Sequence, residues 1–184
     1  MFALPVDELT KAEMRNFRIR AKNDAIAEGL RLALGSNEKE LVVRNIMPAT
    51  DMGAPAGSGY TNEVFVTGAI AVNTWTSVYD TAGVAQLGNR KVLVIYSIFN
   101  ATALPTITAV RFRLGLTGTS TLGVVDTEPL IDVKLTPECY LSEPIVYTKD
   151  QWMDIQCYAR VAIPVGERLG LRGYVVEPVG ETLS

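Results

Sequence analysis

Three groups of residues have the types and spacing to support chemistry. Asp126, Glu128 and Asp132 fall within seven residues, and closely spaced oxygen ligands are what Ca²⁺ takes. The run lacks the turn glycine and closing Glu of an EF-hand loop, so solvated loop acids are the competing reading. Gly115 to Gly123, GLTGTSTLG, has the look of a phosphate loop. No Lys follows its second glycine and no helical pattern follows the loop, so a long hairpin loop is the simpler expectation. Cys139, Cys157 and the serines supply nucleophiles, but the chain contains no histidine. That removes the commonest general base, proton shuttle and metal ligand, and no Gly-x-Ser-x-Gly elbow is present. Two carboxylates alone can hydrolyse a glycosidic bond, and Asp154 is one candidate, but no second carboxylate can be assigned to it. The chain is therefore read as no enzyme, with no cofactor and no metal site.

The residues that look most like a site sit in WMDIQCYARVAI, residues 152–163. Met153, Ile155, Cys157, Ala159, Val161 and Ile163 alternate with Trp152, Asp154, Gln156, Tyr158 and Arg160. Successive strand side chains point to opposite faces, so this is a strand with one dry face and one wet, aromatic face. Trp, Tyr and Arg are enriched at subunit interfaces. A carbohydrate-binding sheet face has the same mixture, and plain surface or edge packing is the third reading.

The strand needs a sheet, and the rest of the chain supplies one. Residues 41–47, 64–72, 74–79, 91–99, 107–114, 129–135, 140–147 and 169–176 read as further short strands between turn residues. Residues 91–99 are apolar on both faces, so that strand is expected to be central and covered on both sides. In 107–114, Val110, Phe112 and Leu114 point in while Arg111 and Arg113 point out. Trp75, Ser77 and Tyr79 share one face of their strand. The fold class is mainly β, an antiparallel β-sandwich or jelly roll of about eight strands with an N-terminal α-helical arm. Residues 138–147 and 152–163 are expected to form a hairpin turning at Lys149–Asp150. That register does not place Cys139 opposite Cys157, so two free buried thiols are expected.

The arm occupies residues 1–40. Pro5 and Asp7 suit a helix start, and Gly35 with Ser36 and Asn37 suits a stop. The helix between them is continuous or hinged near Asn23–Asp24. Met14, Phe17 and Ala21 make one apolar stripe; Ile26, Leu30, Ala33 and Leu34 make another. Lys11, Arg15, Arg18 and Lys22 share one face. Residues 11–22 carry five basic side chains and one acid, whereas residues 35–184 carry 11 basic and 15 acidic. Either the basic face is simply solvated, or it docks on an acidic surface with Met14 and Phe17 beside it. Nucleic acid is the weaker partner, because four cations give few phosphate contacts. Residues 41–61 hold a first strand and a Gly/Pro-rich linker, PATDMGAPAGSGY, and residues 62–184 form the β-sandwich body.

Bulk composition agrees with an assembly component. Of 184 residues 48% are hydrophobic and 20% charged, with a net charge of −3 and a mean hydropathy of +0.18. Apolar residues exceed what one core needs, which favours a homo-oligomer. No apolar run reaches membrane-spanning length, and acids at Asp7 and Glu8 argue against a secretory signal.

The layout of arm, linker PATDMGAPAGSGY and body ending in EPIVY, WMDIQCYARVAI and GLRGYVVEP resembles the auxiliary capsid proteins of tailed bacteriophages, the cement and decoration proteins. The resemblance implies a non-enzymatic stabilising role on the virion surface, usually as a homotrimer on a major capsid protein, made in the host cytoplasm. It carries no functional residue across. A carbohydrate- or receptor-binding module using the Trp152/Tyr158 face is the alternative.

Overall fold

The computed structural model describes residues 3–52, 59–80, 90–114, 120–128, 131, 137–148, 151–164 and 166–180. Ten strands are described: β1 (Ala3–Pro5), β2 (Leu41–Asn45), β3 (Val64–Val66), β4 (Thr76–Asp80), β5 (Val92–Asn100), β6 (Ile107–Leu114), β7 (Ser120–Asp126), β8 (Glu138–Tyr147), β9 (Met153–Ala159) and β10 (Arg168–Pro178). Two α-helices, α1 (Lys11–Arg31) and α2 (Pro48–Asp51), and two 3₁₀ turns, Val6–Glu8 and Glu38–Glu40, complete the described set. The larger sheet has the order β1-β8-β5-β10-β2, with β3 also pairing β10, and the smaller one β4-β9-β6-β7. Every ladder among these ten strands is antiparallel. The architecture is a β-sandwich with an N-terminal helix.

Two apolar cores follow from the sequence pattern. Leu93, Ile95 and Ile98 of β5 join Val110 and Phe112 of β6 and Ile155 and Cys157 of β9 between the sheets. Val92, Val94 and Tyr96 of β5 join Tyr140, Val176 and the buried side of α1. The central strand is therefore covered on both faces, as its two-sided apolar pattern requires. Ala21, Ala25 and Gly29, spaced four apart, are the buried positions of α1. Small residues let the helix lie close to the sheet: a Cβ on Gly29 would sit 2.8 Å from a Val176 methyl.

Several expectations need correction. The helix begins at Lys11, not near Pro5; Ala3–Pro5 pairs with β8 and Val6–Glu8 forms a 3₁₀ turn. The signal is Thr10-x-x-Glu13, a capping box in which both reciprocal bonds form. The arm is not free of the body. Met14 and Phe17 pack on the chain's own sheet, so that apolar stripe has cover without a neighbour. The 138–163 hairpin does not form: β8 pairs β1 and β5 while β9 pairs β4 and β6, in opposite sheets. The proposed turn, Lys149–Asp150, lies outside the described residues, as do residues 115–119 and Asp132. Within 115–123, Ser120 onward belongs to β7 rather than a loop. Residues 48–51 of the linker form α2. Both cysteines are free and buried, as expected.

Candidate functional site

The outer face of the small sheet carries the polar residues of β9. Register sets Arg111 of β6 and Ser77 of β4 opposite Gln156, and Arg113 opposite Asp154. Arg111 Nε donates to Gln156 Oε1 at 3.0 Å, and its Nη2 donates to the same oxygen. Gln156 Nε2 donates to Asp154 Oδ2 at 2.7 Å, and Ser77 Oγ to Asp154 Oδ1 at 2.7 Å. Arg113 Nη1 approaches Asp154 Oδ2 at 3.9 Å. The Arg111 guanidinium lies 4.4 Å from the Trp75 ring centre, a cation–π arrangement. Burial, then the charge of Arg113, pulls the Arg111 guanidinium below its ordinary value. The Tyr158 ring is tilted against Trp75 with centres 5.5 Å apart, and its hydroxyl donates to Asn73 Oδ1 at 3.3 Å.

The wet strand face is thus a polar plate already bonded to itself. Asp154 and Gln156 are buried, at 6% and 9% exposure, beneath the two arginines. Tyr158 is half-buried, and Arg160 is exposed and pairs with Glu128 beyond the strand end. Trp152 is half-buried and precedes β9. Of the five sequence-marked residues, Asp154, Gln156 and Tyr158 share the plate. Val161, expected on the dry side, is 63% exposed because the strand stops at Ala159. The plate's main aromatic is Trp75. Its strand alternation was visible, but Tyr79 does not share its face: a register shift between Ser77 and Tyr79 turns Tyr79 into the core, where its hydroxyl donates to the Met52 carbonyl at 2.6 Å.

The second surface is the outward side of α1. Lys11, Arg15 and Lys22 are exposed, and Ile19 among them is 45% exposed. Arg18 turns back toward the sheet, where its Nε donates to the Tyr140 hydroxyl at 2.9 Å. That bond holds the guanidinium above its ordinary pKa. Phe17 lies 5.5 Å from the Tyr140 ring, so the helix is clamped by Phe17 and Arg18 at one end and by Gly29 at the other.

Of the acids weighed for cation binding, Asp126 and Glu128 have other partners. Asp126 accepts from the Glu128 backbone at 2.9 Å, and Glu128 meets Arg160. Both thiols are buried and held strongly protonated, Cys139 pushed up to about 12 and Cys157 further, by desolvation first. Thiolate is the nucleophilic form, so neither cysteine is poised to attack. Among the described residues no helix is long and apolar enough to cross a membrane.

Fold and surfaces together define a β-sandwich whose one sheet is helix-covered and whose other sheet displays an aromatic and polar plate. No family model matches the chain, and no curated protein does. Among solved structures, it is similar to the C-terminal CBM6 of LamC, a marine laminarinase from Zobellia galactanivorans. Identity is 12% over 74% of this chain and 99% of that one, with a TM-score of 0.32.

Proposed function

We propose that the chain is a non-enzymatic structural protein of a virion shell, a cement or decoration protein that docks on an acidic capsid surface and acts as a homo-oligomer, a trimer by preference. The observation that supports this reading is the outward face of α1: Lys11, Arg15 and Lys22 are exposed, and the exposed Ile19 lies between Arg15 and Lys22 by helix spacing. An apolar centre with a charged rim is the anatomy of a protein-docking patch. The helix is pinned to its own sheet, so the patch is presented without an ordering cost. Met14 and Phe17 belong to the mounting rather than the contact. Repeated weak contacts from linked copies would add through effective concentration.

The test is co-sedimentation with shells lacking the protein. Arg15→Glu with Lys22→Glu is expected to weaken attachment at least tenfold at low salt, with the thermal midpoint unchanged. Attachment equal to that of the parent chain at low and high salt would leave the basic face without a role. A second reading, carbohydrate binding by the small sheet's outer face, is favoured by the half-buried Trp75–Tyr158 pair at 5.5 Å. It predicts glycan binding that Trp75→Ala abolishes.

A further inference from the structure

A cleft of about 520 Å³ opens on the larger sheet beside α1, within the volume range of small-molecule sites. Tyr96, Gly173 and Tyr174 form part of its floor, Arg18 and Arg172 rise at its sides, and Asn62 and Glu63 stand at its rim. The floor is made by broken register. Tyr96 has no register partner in β10 or in β8; both ladders step from Ile95 to Ser97. Bulges of this kind re-aim side chains and recur beside binding sites. Here they send Tyr96 toward Tyr174, with ring centres 5.5 Å apart, while the Ser97 hydroxyl donates to Glu138 at 2.9 Å. Opposite the bulge only glycine fits, since a Cβ on Gly173 would lie 2.3 Å from the Val94 carbonyl oxygen.

The polar groups say what the cleft could hold. Arg44, also in the lining, spends its N–H groups on Asp51, Glu177 and the Asn45 carbonyl and is a wall. Arg18 and Arg172 each commit Nε, to the Tyr140 hydroxyl and to Glu138. Among the described residues their Nη groups, the Asn62 amide and the Glu63 carboxylate make no hydrogen bond. Arg18 and Arg172 share the lining with Glu63, and Arg172 pairs with Glu138, so charge nearly cancels. A phosphate or carboxylate ligand would meet little net field. An extended peptide would need an open strand edge; β5, which carries Tyr96, is paired on both sides and offers none. A ring bearing several hydroxyls suits the set. It can accept from the guanidinium forks, donate to Glu63, exchange bonds with Asn62 and lay its C–H face on Tyr174.

We propose that this cleft is a binding site for a neutral sugar. It lies on the opposite sheet from the Trp75–Tyr158 plate and stands independently of the shell reading. The test uses the full chain on an array of neutral and acidic glycans, then calorimetry with the best neutral oligosaccharide and with inorganic phosphate. Glu63→Gln and Asn62→Ala alter exposed rim residues, so both variants are expected to melt as the parent does. Each is expected to weaken sugar binding roughly tenfold, the loss of one good hydrogen bond, while Trp75→Ala binds normally. Absence of glycan binding at millimolar concentration overturns the proposal. So does unchanged affinity in both rim variants, or loss of binding in Trp75→Ala. Phosphate binding that Glu63→Gln strengthens would make the cleft an anion site and overturn it equally.

Discussion

At the residue scale, the most consequential group is Arg44. It bridges Asp51 at 2.6 Å and Glu177 at 2.9 Å, and both carboxylates are fully buried. Lys91 approaches Glu177 at 3.6 Å. Asp51 also accepts from the Met47 backbone at 2.8 Å, so the network ties α2 to β2 and β10. The hydrogen bonds to Asp51, ahead of those to Glu177, hold the Arg44 guanidinium far above its ordinary value. A buried ion pair adds little net stability, but removing one partner strands the other. Arg44→Met is expected to cost about 3–5 kcal/mol, read as a fall in the urea midpoint. A loss below 1 kcal/mol would mean that water reaches the two carboxylates. Glu167 shows the same logic without a cation, accepting from Asn100 at 2.7 Å and from the Thr106 backbone and hydroxyl at 2.6 Å each.

At the element scale, α1 shows how both ends of a helix are written locally. The start is the Thr10–Glu13 box. The end is a Schellman motif: Ala33 N–H donates to Leu30 O and Leu34 N–H to Gly29 O, each at 3.0 Å. The motif needs a left-handed residue, and Ala33 takes that role at φ 55°. An L side chain is strained there, and glycine is not. Ala33 is exposed and loses no packing on substitution. Ala33→Gly is therefore expected to stabilise by about 0.5–1 kcal/mol, measurable as a raised thermal midpoint. A lowered midpoint would show that the entropy gained by the unfolded chain outweighs the relieved strain.

At the scale of the whole molecule, two cores share one sheet, and both hold ionisable groups kept neutral by burial. Desolvation pushes Cys139 up to about 12 from 9.0 and Tyr96 up to about 12 from 10.0, and raises Cys157 and Tyr147 as well. For these acids the folded state keeps its proton when the unfolded state has lost it. Their contribution is thus complete below the unfolded pKa and is lost as pH climbs through the folded one. Urea midpoints are expected to be flat up to about pH 9 and to fall steadily toward about pH 12. Cys139→Ala should show a shallower fall. A midpoint unchanged at about pH 11 would mean that these groups ionise freely in the folded chain.

Part of what could be read locally came out as read; the helix start and the faces of Val161 and Tyr79 did not. The alternation in 153–159 and the two-sided apolar run in 92–99 report which faces are dry, because burial leaves a period-two imprint on each strand separately. The buried positions of Cys139 and Cys157 and the inward Val110 and Phe112 follow from the same imprint, whereas the hairpin register that predicts free thiols does not form. The helix start was also legible in Thr10-x-x-Glu13, although Pro5 and Asp7 draw the eye first. Partner choice was not legible. Nothing in residues 138–163 says whether two neighbouring strands pair or cross to opposite sheets, since that depends on β5 lying between β8 and β10. The bulges at Val78 and Tyr96 exist only because strands distant in sequence must stay in register around a side chain that does not fit. Those long-range pairings bury Asp154, bring Trp75 over Arg111 and open the cleft at Tyr174. The sequence by itself determined most of the strands and the dry faces of 92–99, 107–114 and 153–159; tertiary structure alone decided which polar residues meet, because meeting is a property of register and not of spacing.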